Sequence, residues 1–252
     1  MSYPNEILST RAVVHPGLYA VLPSSGRVNN VIPGLQGVRT SILASPKLGA
    51  GFVQYIMTLE KEGGTTQPYE AQDVEKFLYV IDGNLTVETG KRTLSLSEGG
   101  YYYCPAGQGL EFKSTSAGTR ILLYKQKYTP LAGYTCFDHS GNVNDIEYRN
   151  YENMENVLIK DLLPTDLSFD INMHILSFKP GGCHPFIETH VQEHGAYVLE
   201  GEGLYLINGT WLPIQKDDFI WFGAFVTQGA YGVGTRNFTY IYSKDCNRDA
   251  AL

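Results

Sequence analysis

Residues 187–196 read IETHVQEHGA. Two histidines and two carboxylates fall between Glu188 and His194, and the backbone that carries them decides what they can do. On a helix, His190 and His194 share a face, and the run His190 to His194 matches H-x-x-E-H, the motif of inverted zinc proteases. On a strand, residues two apart share a face. Glu188, His190, Gln192 and His194 then point one way and Glu193 the other. The flanks oppose a helix: Pro180, Gly181, Gly182 and Pro185 precede the run, Gly195 follows at once, and AYVLEG beyond it reads as strand. A strand is therefore expected, with Glu188 grouped with the two histidines.

A repeat supports this reading. The stretch EKFLYVIDGNLTVETGKRTLSLSEGGYYYCPAG from Glu75 aligns without a gap on EHGAYVLEGEGLYLINGTWLPIQKDDFIWFGAF from Glu193, an offset of 118 residues. Tyr79-Val80 falls on Tyr197-Val198 and Gly83 on Gly201. At the same offset, LLYKQK from Leu122 falls on YIYSKD from Tyr240. Both copies read as short strands with frequent turn signals: a hairpin at Asp82-Gly83-Asn84, a turn at Gly201-Glu202-Gly203 and another at Asn208-Gly209. Helical periodicity is scarce. The expected fold is all-β, two β-barrels in tandem, divided as 1–130, a connecting segment 131–165, and 166–252.

The formal net charge is −7, with Lys and Arg scattered, so no nucleic-acid surface is expected. No apolar run is long enough for a membrane span. The opening residues MSYPNEILSTRAVV carry no secretory signal, and the four cysteines form no C-x-x-C pair. A cytoplasmic protein with reduced thiols is expected, acting on a small molecule, and exposed strand edges favour a homo-oligomer.

The spacing resembles that of the cupin superfamily, whose first motif is G-x5-H-x-H-x3-E-x6-G and second G-x5-P-x-G-x2-H. Gly182, Glu188, His190, His194 and Gly201 keep the first frame, with a glutamate in the first histidine position and a histidine in the glutamate position. The second motif is worn: Asp217, Gly223 and Phe225 replace its Gly, Pro and Gly, and Gln228 takes the last histidine position. The implied metal ligands are Glu188, His190, His194 and Gln228. This mixed O/N set suits Mn²⁺, with Fe²⁺, Ni²⁺, Co²⁺ or Zn²⁺ also compatible. In the first copy the same frame places Glu70, Gln72, Lys76 and Leu110 at those positions. A lysine and a leucine cannot bind a metal, so that barrel is expected to be metal-free. Cys183 and His184, just ahead of the site, read as packing or rim residues.

Whole segments resemble the (S)-ureidoglycine aminohydrolases, two-barrel cupins: NMHILSF, IETHVQEHGAY, AYGVG and YIYSKDCNRD in the second half, SPKLGAGFVQY and FLYVIDGNLTV in the first. The resemblance implies one Mn²⁺ per chain and release of ammonia from (S)-ureidoglycine to give (S)-ureidoglycolate. It places Glu188, Gln228, Tyr240 and Lys244 against the substrate, with Glu188 and Lys244 catalytic. Alternation on the strand from Tyr240 puts Lys244 on one face with Tyr240 and Tyr242. Another metallocupin enzyme, or a binding protein without activity, remains an alternative.

Overall fold

The computed structural model describes residues 10–249 apart from positions 70, 91 and 246, so Glu70 and Cys246 lie outside the described residues. Among the described residues it is built from β-strands joined by turns, with two single-turn 3-10 segments, Ser24–Gly26 and Val143–Asp145. A nine-stranded sheet forms the first barrel, and an eight-stranded and a three-stranded sheet form the second.

Period-two patterning builds three cores from two barrels. On Val74–Asp82, Leu78 and Val80 turn into the first barrel, while Phe77 and Tyr79 turn outward into a seam between the barrels. On His194–Glu200, Ala196 and Val198 turn into the second barrel and Tyr197 into the seam. The seam core is aromatic, with Phe52, Tyr101, Tyr103 and Tyr124 meeting Phe169, Phe219 and Trp221. Strands that are apolar on both faces, such as Gly100–Cys104 and Phe219–Phe222, are those buried on both sides.

Several expectations are corrected. The division at 130 and 165 does not follow the sheets. Val13–His15 and Tyr19–Leu22 join the second barrel's sheet through Phe219–Phe222. His139–Asn142 extends the first barrel, whereas Arg149–Tyr151 and Met154–Asp161 extend the second. Asp82-Gly83-Asn84 is no hairpin. Val74–Asp82 pairs with Thr119–Lys127 and Gly100–Cys104, while Asn84–Glu88 pairs with Thr93–Ser97 and Glu111–Ser114. Gly83, at φ 87°, turns a barrel corner, and a Cβ there would lie 2.5 Å from Thr119 Oγ1. Gly201 turns the equivalent corner. Asn208-Gly209 is the hairpin expected, both residues having positive φ, between Glu202–Ile207 and Thr210–Gln215.

The repeat also shifts by one residue. Val80 pairs with Ile121 and Val198 with Tyr240; the first members are 118 apart, the second 119. Because one residue reverses strand faces, Leu122 lies in the seam while Tyr240 lies inside the second barrel. The true partner of Lys244 is Lys125. The same shift makes Tyr69, bridged to Leu110, the counterpart of Glu188, bridged to Gln228. Inside the first barrel Lys125 Nζ donates to Tyr69 Oη at 2.8 Å, and buried Lys76 Nζ donates to the carbonyls of Val74 and Gln108.

Candidate active site

One cavity of the second barrel brings together all six residues singled out from the sequence: Glu188, His190, His194, Gln228, Tyr240 and Lys244. Tyr240, Tyr242 and Lys244 project inward from Phe238–Asp245, as alternation requires. His194 opens its strand. The strand expected over the whole of 188–194 is not formed: His190 and its neighbours follow an irregular path, and only Glu188 is bridged. Two backbone bonds to Gln228, of 2.8 and 2.9 Å, hold that bridge. Pro185 at the start and the short bridge leave room for His190 to turn back toward His194. Glu193 does face away. Its carboxylate accepts from Gly51 N at 2.8 Å and Trp221 Nε1 at 2.9 Å, tying the second barrel to the first.

The two imidazoles are preorganised by their backbone contacts. His194 Nδ1 donates to the Ser243 carbonyl at 2.8 Å and His190 Nδ1 to the Gln192 carbonyl at 3.0 Å. A carbonyl can only accept, so both protons sit on Nδ1 and both Nε2 atoms carry lone pairs. These Nε2 atoms face each other at 3.3 Å. Burial pushes both pKa values down, His194 much further than His190. Neither ring therefore carries a proton to bridge the lone pairs at neutral pH. Phe222 and Tyr242 present edge-to-face rings about His194, each 5.0 Å away.

Glu188 lies opposite. It accepts from Gln228 Nε2 at 2.5 Å and from Tyr151 Oη at 3.3 Å, and burial raises its pKa. Gln228 Oε1 in turn accepts from Tyr205 Oη at 2.9 Å. Among the described residues, no three His, Cys, Asp or Glu side chains converge closely enough to hold a metal by themselves. The donor set nevertheless fits a cation, since two unprotonated Nε2 lone pairs pointing at one another are mutually repulsive without one. Rotating the Gln228 amide would turn its oxygen inward beside the Glu188 carboxylate.

Two polar pocket residues, Tyr151 and Tyr205, escaped the sequence reading of the site. Tyr151 comes from the stretch read as a connecting segment. Tyr205 alternates correctly on Glu202–Ile207 but carries no motif. His184, read as a packing or rim residue, lines the pocket: its Nδ1 accepts from Ala230 N at 2.8 Å, so its proton sits on Nε2. Burial, then the proximity of His190, lowers its pKa to about 4, keeping it neutral.

Two tandem barrels with inward-facing glutamate and histidines define a two-barrel cupin. The sequence model of the Cupin domain family matches residues 55–123, in the barrel that lacks the cluster. The chain is 48% identical to the (S)-ureidoglycine aminohydrolase of Escherichia coli (strain K12), over 99% of this chain and 97% of that one. The chain belongs to the (S)-ureidoglycine aminohydrolase family. Among solved structures it is similar to protein Ylba from E. coli, with a TM-score of 0.88, 46% identity and full coverage of both chains. A Bacillus subtilis oxalate decarboxylase described as having Mn(II) centers shares the fold at a TM-score of 0.64 and 14% identity, over 94% of this chain and 79% of that one. Among the described residues no helix is long and apolar enough to cross a membrane.

Proposed function

We propose that the second-barrel pocket releases ammonia from (S)-ureidoglycine, giving (S)-ureidoglycolate, with a divalent cation held by Glu188, His190, His194 and Gln228. The observation that carries the metal assignment is the pair of facing Nε2 lone pairs, each ring fixed by a backbone carbonyl. The mixed oxygen and nitrogen donors favour Mn²⁺, the ion named for the oxalate decarboxylase of the same fold. Bound there, the ion would supply a Lewis acid and a template for a chelating substrate.

The chain's own groups divide the remaining work. The Lys244 ammonium pairs with the substrate carboxylate. The Tyr240 hydroxyl and the His184 Nε2–H are neutral donors suited to the ureido oxygen. Glu188 accepts a proton from the incoming water and returns one to the departing amine. The carbon–nitrogen bond breaks, a carbon–oxygen bond to the water forms, and nitrogen leaves as ammonia. The rings of Phe222, Tyr240 and Tyr242 give the pocket an apolar wall. Cys104, Cys136 and Cys183 are free thiols, which supports a reducing, cytoplasmic setting.

Ammonia release from freshly prepared (S)-ureidoglycine, measured against an uncatalysed control, tests this. Activity should vanish in His190→Ala and in chelator-treated protein and return to the latter with Mn²⁺. Unchanged turnover by folded His190→Ala would overturn the site.

A further inference from the structure

The aromatic seam between the barrels is not closed along its whole length. Leu43, Ile56 and Leu122 belong to its apolar core, on Leu35–Ala44, Phe52–Thr65 and Thr119–Lys127. Further along these strands the same face becomes polar. Ser41 lies opposite Ile56 and Arg39 opposite Thr58, while Thr58 lies opposite Arg120 on its other side. Arg39 and Arg120 thus flank Thr58 in one cross-strand row, their backbones about 10 Å apart. The far wall comes from the second barrel and the segment that joins it: Tyr197, Asp217 and Arg27. The cleft between the walls has about 640 Å³ of empty space.

Its charge is unbalanced. Three guanidinium groups share one carboxylate, in a chain whose net charge is −7. Asp217 Oδ1 is already taken by Arg120 at 2.5 Å and by Tyr197 Oη at 2.9 Å. Arg27 donates to the carbonyls of Leu22 and Asp217, and its Nε is buried without a partner. Arg39 makes no hydrogen bond or ion pair among the described residues. Like charges in one row of a sheet repel, and guanidinium forks match planar or tetrahedral oxyanions. We propose that this cleft is a second ligand site, binding a small divalent oxyanion (a phosphate group or a short dicarboxylate) between Arg39 and Arg120, with Arg27, Ser41 and Thr58 around it. Because its walls come from both barrels, an occupant clamps the seam.

Isothermal titration with inorganic phosphate and with malonate, at ionic strength held constant with chloride, tests the site in the full chain. One anion should bind per chain with a Kd of about 1 mM or tighter. Arg39→Ala, which removes an exposed side chain without partners, should weaken it at least about tenfold, and Arg39→Lys should restore part of the loss. Ammonia release by Arg39→Ala should be unchanged, and Lys244→Ala should bind the anion as the parent does. Preference for phosphate over malonate identifies a phosphoryl ligand, and the reverse a dicarboxylate. Heats no larger than those of chloride, equal affinity in Arg39→Ala, or loss of binding in Lys244→Ala would each overturn the proposal.

Discussion

Glu75→Gln should stabilise the protein at neutral pH and scarcely change it at pH 5. Glu75 is fully buried where Val74–Asp82 faces the seam. Tyr103 Oη donates to its Oε2, while its Oε1 and Asp170 Oδ1 are buried without hydrogen-bond partners. Burial, then repulsion from Asp170, lifts the Glu75 pKa from 4.5 to about 8, against the pull of Tyr103 and Gln126. The folded state therefore holds a proton that the unfolded chain has released. The stability this carboxyl contributes is fully present below pH 4.5 and is lost as the pH rises toward 8. At about 1.4 kcal/mol per pKa unit, the loss reaches about 3 kcal/mol at pH 7 and stays below about 1 kcal/mol at pH 5. Glutamine keeps the shape: its carbonyl accepts from Tyr103 and its amide faces Asp170, with no proton to lose. Guanidinium unfolding at pH 5, 7 and 8, followed by tryptophan fluorescence, measures the difference. A Glu75→Gln stability difference that does not grow between pH 5 and pH 7 would refute the reasoning.

Lys244→Ala should lower kcat/KM about a hundredfold with little change in thermal stability, read by steady-state ammonia release and a melting curve. His194→Ala should abolish stoichiometric metal binding, measured by elemental analysis after dialysis, because it removes one of two opposed Nε2 donors. Tyr205→Phe removes the hydroxyl that holds the Gln228 amide and should reduce kcat about tenfold, while Tyr205→Trp should reduce it further by filling the pocket. Gly195→Ala would place a Cβ 2.5 Å from Phe52 Cζ and 2.6 Å from Gln54 Oε1, across the seam. It should cost about 1–3 kcal/mol in denaturant unfolding.

The clustering of these side chains in one pocket was legible in the sequence because their spacing is local. Glu188, His190 and His194 lie on one short run, and Gln228 lies on the partner that a repeat frame identifies. The strand reading nevertheless overreached: side-chain parity was right for Glu188, His190 and His194, yet the backbone between them is irregular, and Gln192 contributes its carbonyl instead of its side chain. Gly83 misled because positive φ serves hairpins and barrel corners alike, and only long-range pairing tells them apart. The one-residue slip between Val80–Val198 and Ile121–Tyr240 was invisible for a similar reason, since apolar residues continue on both faces of these strands. Tyr151 had no signal at all. Its place beside Glu188 depends on which sheet its strand joins, a choice made by contacts far away in the chain.

The pairing of Tyr19–Leu22 with Phe219–Phe222 has a consequence for how the molecule is made. Leu22 meets Phe219 and Val21 meets Ile220, so this segment waits for a partner made about 200 residues later. At about 5–20 residues per second, translation leaves that segment's edge unmatched for about 10–40 s. During that interval the nascent first barrel also exposes the aromatic face formed by Phe77, Tyr79, Tyr101 and Tyr124. Contacts of such sequence separation fold slowly. Closure of the second barrel thus waits for residues far down the chain, and until they emerge the open edge and the aromatic face are exposed to off-pathway contacts.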